Sequence, residues 1–140
     1  MSKTIKFNEI ETEVSSAAGF YEIYTNSGLP LKVGIGQNIR KRLKDHRASR
    51  QKSLRLDPGG NRDNPNDVKS KQSILAKHMY YDESITSEYD LKTEEGRRAF
   101  LDLECYILFE YTNTLDDARQ FEALKERVVP WRYIGNVVKR

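Results

Sequence analysis

Two strand-length segments joined by a short turn constrain the fold of this chain more than any other feature of its sequence. The first, residues 19–25, reads GFYEIYT and is rich in aromatic and β-branched side chains. Asn26-Ser27-Gly28 is a strong turn signal, and the second segment, residues 31–36, reads LKVGIG. The sequence therefore predicts an antiparallel β-hairpin.

The rest of the chain adds helices and one further strand to this hairpin. Apolar spacing and capping residues predict helices over residues 39–48, 70–81, 93–103 and 114–128, and a strand over residues 105–112. Asn38 is a favourable N-cap for the first helix, and Pro130 ends the last one. We therefore expect an α+β fold, in which a small, mostly antiparallel three-stranded sheet is flanked by helices and carries a helical and loop insertion.

Two segments fall outside these elements. Residues 1–14 are polar with alternating charge, and we predict an N-terminal arm or a short edge element there. Residues 49–69 contain Pro58-Gly59-Gly60 and Asn64-Pro65-Asn66, which interrupt regular structure, so we predict a long basic loop insertion. Residues 15–140 are expected to form a single domain, because 140 residues suffice for one compact domain and little more.

The composition argues against several classes of protein. A hydrophobic content of 37% with 32% charged residues is typical of a folded globular chain. No apolar run approaches the roughly 18–20 residues that cross a bilayer, and the N-terminus lacks the apolar core of a signal peptide. We therefore expect no membrane partner and a cytoplasmic location. The lone Cys105 cannot form an internal disulfide, and with only His46 and His78 a zinc site is not expected.

The positive charge is concentrated in one part of the chain. The net charge is only +3, yet residues 40–55 hold eight lysines and arginines against the single acid Asp45. Such a cluster is typical of a surface that binds a phosphate backbone, although a solvated helix followed by a basic loop has the same composition. His46 would contact phosphate or cap the helix. The candidate nucleic-acid contacts are Arg40, Lys41, Lys44, His46, Arg47, Arg50, Lys52, Arg55 and Arg62.

An ordered set of motifs resembles the GIY-YIG nuclease superfamily. The first signature of that family matches Gly19-Phe20-Tyr21, and the second aligns with Lys32-Val33-Gly34, where lysine replaces the usual tyrosine, as in some restriction-enzyme-like members. The later family positions fall on Arg42, Glu122, Pro130 and Asn136. The similarity covers residues 17–48 and 104–136, while the segment between them is longer than a minimal family core. Tyr133-Ile134-Gly135 spells the second signature but follows Pro130, so we take it as a chance match.

The resemblance implies a metal-dependent endonuclease that cuts DNA with one Mg²⁺ or Mn²⁺ ion and leaves 5′-phosphate and 3′-hydroxyl ends. It implies that Tyr21 is the general base, that Glu122 holds the metal and that Arg42 stabilises the developing charge, with Gly34 and Asn136 in support. These residue types suit phosphodiester hydrolysis, which needs a base, a metal and a cation on the phosphate. We further expect the Lys32 ammonium, across the hairpin, to lower the pKa of Tyr21.

Two other functions remain open at this level. The chain fits a non-catalytic nucleic-acid-binding module, in which Lys32 marks lost chemistry, or a protein-interaction domain whose basic cluster meets an acidic partner. Tyr24 is a weaker candidate for the site, and Glu104 is the alternative carboxylate for binding a metal. Trp131 would stack on a base or, more in keeping with its position, belong to the core or to a lid. Any sequence specificity in so short a chain must come from the insertion or from a homodimer.

Overall fold

A computed structural model describes residues 2–140 of the chain. The helices are α1 (Ile10–Glu13), α2 (Ile39–Ala48), α3 (Ile74–Tyr80), α4 (Glu94–Glu104) and α5 (Leu115–Val128). The strands are β1 (Lys3–Ile5), β2 (Gly19–Thr25), β3 (Pro30–Gly36), β4 (Leu54–Leu56), β5 (Val68–Ser70) and β6 (Cys105–Tyr111). The α+β class and the helix-flanked antiparallel sheet are therefore confirmed. Among the described residues, no helix combines the length and the hydrophobicity needed to cross a membrane.

The main sheet has four strands in the order β1-β6-β2-β3, and all neighbours are antiparallel. The sequence predicts three of these strands. The fourth, β1, comes from the segment predicted as an arm or a short edge element, and it pairs with β6 at the edge of the sheet. This segment is part of the folded unit, because Ile5, Phe7, Ile10 and Val14 are buried in the main core.

The two faces of β2 serve different purposes, because successive side chains of a strand point to opposite sides of the sheet. Tyr21 and Ile23 belong to the main core on the side of α2. The alternate residues meet α5 and the segment after it. These contacts are a stack of Phe20 on Phe121, an ion pair of Glu22 with Lys125 and a tilted contact of Tyr24 with Trp131.

Side-chain caps fix where the helices begin, since each satisfies a backbone N–H that has no partner within the helix. Asn38 accepts a hydrogen bond from the backbone N–H of Lys41, as the sequence predicts. Ser73, Thr93 and Thr114 cap the three later helices in the same way. Helix α3 therefore begins at Ile74 rather than at residue 70, because residues 68–70 are used as a strand.

The segment 49–69 has more regular structure than the loop that the sequence predicts. Strands β4 and β5 form a separate two-stranded hairpin. Leu54 and Val68 are buried on its inner face and pack in a second apolar cluster with Ala76, Tyr80 and Tyr81. Residues 57–64 remain irregular, as predicted, and a short 3-10 helix over Pro65–Asp67 leads into β5. The apolar residues that hold the hairpin are too widely spaced along the chain to stand out as strands beside so many turn formers.

Candidate active site

A buried chain of hydrogen bonds links three side chains from β2, α2 and the start of α3. The Tyr21 hydroxyl lies 2.7 Å from Nε2 of His46, and Nδ1 of the same ring lies 2.7 Å from Oγ of Ser73. Ser73 Oγ also accepts the backbone N–H of Ala76. His46 has no exposed surface and Tyr21 is only 1% exposed. Both nitrogens of His46 are therefore engaged inside the protein.

This position corrects the prediction that His46 contacts phosphate. A ring that is fully buried and bonded through both nitrogens is not available to a nucleic acid on the surface. Burial, together with the positive charges of Lys32 and Arg42, holds the pKa of His46 well below its ordinary value of 6.5. The imidazole is therefore neutral at pH 7. In the sequence, the feature that pointed to His46 as a site residue was its position one helical turn after Arg42.

The electrostatic surroundings of Tyr21 also differ from expectation. Burial raises the pKa of its hydroxyl to about 12, and the charge of Glu122 adds to the increase. The cation that opposes this rise is the Arg42 guanidinium, not Lys32 as the sequence led us to expect. At neutral pH the Tyr21 side chain is therefore a protonated phenol with a guanidinium beside it.

Gly34 lies directly opposite Tyr21 in the β2–β3 pair. A Cβ atom built on Gly34 would overlap the Tyr21 hydroxyl and the ring carbon next to it. Gly34 thus leaves space for the phenol to reach His46, which is a physical reason for its predicted supporting role.

A cleft of about 210 Å³ lies beside β3 and is lined by Lys32, His78, Glu122, Glu126 and the C-terminal segment. Burial lowers the pKa of Lys32, and Arg42 lowers it further, while Glu122 and Glu126 oppose the shift. Burial raises the pKa of Glu122, and Glu126 adds to the effect, whereas Lys32 lowers it. The cleft therefore holds one ammonium against two carboxylates.

Glu122 and Glu126 are the side chains of this cleft that could hold a divalent cation. They lie one turn apart on α5, so they share a helix face. The described part of the chain contains no group of three or more histidine, cysteine, aspartate or glutamate side chains arranged around a point. The residues present fit a hard cation such as Mg²⁺, which keeps much of its water and needs only one or two carboxylates. Glu126 was not predicted, and its i+4 spacing from Glu122 is the only sequence signal that could have identified it.

Most cations of α2 that were predicted to contact nucleic acid are already engaged by protein groups. The pairs are Arg47 with Asp102, Lys41 with Asp45 and Lys44 with Glu11. Arg47 donates two hydrogen bonds to Asp102, at 2.8 and 3.0 Å, and Arg40 donates to the backbone carbonyl of Glu11. The Arg47 pair joins α2 to α4, so the role of Arg47 in this structure is to hold these helices together.

The cations of the insertion are more open to solvent. Arg50, Lys52 and Arg55 are all exposed. Arg62 differs from them, because its side chain is partly buried and donates to the backbone carbonyl of Leu54 at 3.2 Å. Arg62 therefore ties the irregular segment to β4.

Asn136, predicted as a supporting residue, lies in the C-terminal segment that follows α5. Its side chain is exposed and forms no hydrogen bond with another described residue. It is thus not joined to the chain of hydrogen bonds around Tyr21.

The weaker candidates lie outside the Tyr21 chain. Tyr24 and Glu22 lie on the face of the sheet opposite to Tyr21, and the Tyr24 hydroxyl donates a hydrogen bond to Glu22. Glu104 accepts a hydrogen bond from Tyr89. The Trp131 ring is buried and its indole N–H donates to the carbonyl of Lys125, which agrees with a core role rather than base stacking. Ser73, in contrast, belongs to the chain of hydrogen bonds but was not predicted; its only sequence signal is that a serine just before an apolar helical residue is a common N-cap.

Comparison of the chain with models of known protein families gives no match, and neither do comparisons with curated proteins and with solved structures. Function is therefore inferred from the residues and the geometry of the candidate site.

Proposed function

We propose that this protein is a metal-dependent endonuclease of the GIY-YIG type that hydrolyses DNA phosphodiester bonds. The observation that carries the proposal is the contact of the Tyr21 hydroxyl with a neutral, buried His46, in a site that also holds Arg42, Lys32 and Glu122.

The Tyr21–His46 contact supports a proton relay. A phenol with a pKa of about 12 is a poor base at neutral pH if it must first ionise. If the Tyr21 hydroxyl donates a hydrogen bond to Nε2 of neutral His46, however, its oxygen can take a proton from the attacking water while its own proton passes to Nε2. This arrangement requires the Nδ1–H tautomer, and Oγ of Ser73 is in place to accept that proton.

The charged groups around this relay suit a phosphodiester. Arg42 donates from a planar fork that matches two phosphate oxygens, and it lies next to the proposed base. Its Nη1 also approaches the backbone carbonyl of Gln72 at 3.4 Å, which holds the fork near the start of α3. A Mg²⁺ or Mn²⁺ ion, when bound, would polarise the phosphoryl oxygen. Glu122 would hold that ion, and the Lys32 ammonium opposes the burial that raises the pKa of the Glu122 carboxyl.

One observation favours the alternative of a non-catalytic nucleic-acid-binding module. Tyr21 is only 1% exposed, and a buried strand tyrosine bonded to a buried histidine also makes a stable core contact. On this alternative, the exposed cations bind DNA and the Tyr21 chain serves stability alone.

The test is cleavage of supercoiled plasmid with Mg²⁺, Mn²⁺ or EDTA. Tyr21→Phe removes the hydroxyl and keeps the ring, and Glu122→Gln removes the charge and keeps the shape. We expect the wild type to nick DNA only with metal and both variants to lose at least about 100-fold in rate, the lower range for loss of an acid–base group.

Two matched controls separate loss of the site from loss of the fold. Tyr24→Phe removes a hydroxyl from the other face of the same strand, and Glu104→Gln removes a carboxylate bonded to Tyr89. We expect both to cut at the wild-type rate. If the wild type binds DNA but cuts nothing with either metal, the binding-module alternative replaces the nuclease.

A further inference from the structure

The outward face of the β4–β5 hairpin carries two like charges placed side by side. Arg55 lies directly opposite Lys69 in the antiparallel pair, so both side chains project from the same face. The inner face is fixed by Leu54 and Val68, which are 3% and 2% exposed. Like charges directly opposite one another destabilise a strand pair. A hairpin this short would be more stable with an acid at either position.

The surroundings neutralise little of this charge. Arg55 forms no ion pair with another described residue, and Lys69 approaches only Asp57, at 4.0 Å, with 67% of the Lys69 side chain exposed. Lys77 of α3 adds a third positive charge. Burial lowers the pKa of Lys77, and the nearby Lys69 ammonium lowers it further, while Asp57 opposes the shift. Three cations therefore lie near one another, and Asp57, the acid that approaches Lys69, does so only at 4.0 Å.

The base of the hairpin is connected to the candidate active site. The Lys71 N–H donates to the carbonyl of Ser53, and the Ser53 hydroxyl donates to the side chain of Gln72. The backbone carbonyl of Gln72 accepts from Arg42, and the next residue, Ser73, is bonded to His46. A polyanion on the hairpin would thus lie next to the segment that contacts both Arg42 and His46.

The hairpin lacks the groups that read unstacked bases. Residues 54–70 contain no phenylalanine, tyrosine, tryptophan or histidine, so the surface offers no ring on which a base could stack. Its exposed cations suit the phosphate backbone rather than the stacking of unpaired bases. That preference suits a duplex, in which the bases are already stacked on one another.

We propose that the outward face of the β4–β5 hairpin, carrying Arg55 and Lys69 beside Lys77, binds the phosphate backbone of duplex DNA that flanks the site of hydrolysis. This inference rests on the proposed nuclease function, and it adds Lys69 and Lys77 to the surface that holds the substrate. The like-charged pair that weakens the free hairpin is neutralised when phosphate lies across it.

The test measures duplex binding in EDTA, where no hydrolysis takes place. Binding of a fluorescent duplex of about 20 base pairs is followed by anisotropy between about 50 and 200 mM KCl. We compare the wild type with Arg55→Ala/Lys69→Ala and with the control Lys3→Ala/Lys6→Ala, which removes two exposed cations in and just after the edge strand β1 of the main sheet. Two lost phosphate contacts should reduce the slope of log K against log[KCl] by about 2 in the hairpin variant only.

A thermal melt of the same proteins tests whether the two cations repel each other. The hairpin variant should melt at the wild-type temperature or above it, because it loses a repulsion between opposed cations and only a 4.0 Å, solvent-exposed pair with Asp57. An unchanged salt slope in the hairpin variant, an equal decrease in both variants, or binding of a single strand of the same length as tight as that of the duplex would each overturn the proposal.

The plasmid assay separates this inference from the proposed function. If the hairpin variant shows a reduced salt slope of binding while the wild type cuts no plasmid, the DNA-binding surface is supported and the nuclease function is contradicted. If the wild type nicks plasmid but the slope stays unchanged, the nuclease stands and the hairpin surface fails.

Discussion

The Tyr21 hydroxyl and the His46 imidazole form a 2.7 Å hydrogen bond between a strand and a helix, inside the protein and 25 residues apart in sequence. The bond couples a phenol whose pKa is raised to about 12 with an imidazole whose pKa is lowered, so both partners are neutral at pH 7. A neutral pair can pass a proton from one partner to the next without forming a buried charge beforehand.

His46→Gln tests this relay. Glutamine can keep a hydrogen bond to Tyr21 but cannot accept its proton, so we expect kcat to fall by at least about 100-fold. The melting temperature should change little if the bond is kept. Single-turnover cleavage rates and thermal melts measure the two effects separately. A His46→Gln protein that cuts at the wild-type rate would exclude proton transfer through this ring.

Ser73→Ala tests the far end of the chain, but it also removes the N-cap of α3. Loss of a cap costs about 1 kcal/mol whatever the residue does elsewhere. Thr93→Ala is the matched control, because Thr93 caps α4 in the same way without touching His46. We expect similar losses of unfolding free energy from both variants, and a roughly tenfold lower cleavage rate from Ser73→Ala alone.

Gly34→Ala should damage the site through a steric clash. Its methyl group would overlap the Tyr21 hydroxyl oxygen, so either the tyrosine ring or the strand must move. Overpacking of this kind costs about 1–3 kcal/mol, and the displaced phenol would lose its contact with His46. Urea denaturation and cleavage rates measure the two losses.

Gly36→Ala is the control on the same strand. A Cβ atom at Gly36 would come no closer than 3.4 Å to the nearest atom, the Cβ of Arg42, which is an ordinary contact. We expect this variant to fold and cut nearly as the wild type does. Equal behaviour of the two alanine variants would show that the position opposite Tyr21 does not need a glycine to make room for the phenol.

Asp82 fixes the C-terminal segment that lines the cleft. Its carboxylate accepts from Arg132 at 2.6 Å and from the Tyr133 hydroxyl at 2.7 Å, and its side chain has no exposed surface. Asp82→Ala leaves both donors without their partner, so we expect a loss of about 3 kcal/mol of unfolding free energy. Asp116→Ala is the control, since the Asp116 side chain is 86% exposed in an i,i+3 pair. It should change stability by less than about 0.5 kcal/mol, and urea denaturation of both variants measures the difference.

Local sequence patterns predicted much of this fold. The bounds of β2 and α2 agree with the structure residue for residue, because each follows from a short run of suitable side chains with a turn or a cap beside it. The β4–β5 hairpin was not predicted. Its strands have three residues each and depend on packing against α3 and the tyrosines after it, which no local pattern expresses.

The sequence pointed to residues of the candidate site, but it did not show which of them form hydrogen bonds with one another. The resemblance to the GIY-YIG family singled out Tyr21, Arg42 and Glu122, yet the partner of the Tyr21 hydroxyl lies on another element. His46 was predicted to contact phosphate or to cap the helix, while its buried position depends on how α2 packs on the sheet. The prediction that Lys32 lowers the pKa of Tyr21 was wrong, because burial raises that pKa and the cation that opposes the rise is Arg42.

His78 makes stability depend on pH. Its ring is 5% exposed and stacks on Tyr133 with a centroid distance of 5.2 Å. Burial lowers its pKa to about 4, with further lowering from Lys32, Arg140 and Lys77 and opposition from Asp82. The folded protein therefore binds this proton less readily than the unfolded chain, in which a histidine titrates near about 6.5.

The sign of the effect follows from this depressed pKa. The stabilisation is complete above about pH 6.5 and is lost as the pH falls toward 4, because the unfolded state takes up the proton first. Between about pH 7.5 and pH 5, His78 lowers the free energy of unfolding by an amount on the order of 2 kcal/mol. Buried neutral His46 acts in the same direction. The raised pKa of Glu122 acts in the opposite one, because a carboxyl that keeps its proton more readily in the folded state favours folding at low pH.

His78→Phe isolates the contribution of this ring. Phenylalanine keeps the stack on Tyr133 and cannot titrate, so the difference in unfolding free energy between about pH 7.5 and pH 5 should shrink by about 2 kcal/mol. Urea denaturation across that pH range measures it, with the wild type beside the variant. What remains in this range should combine the contribution of His46, which has the same sign, with that of Glu122, which has the opposite sign. A His78→Phe protein with the full wild-type pH dependence would show that the pKa of His78 in the folded state already lies near its ordinary value.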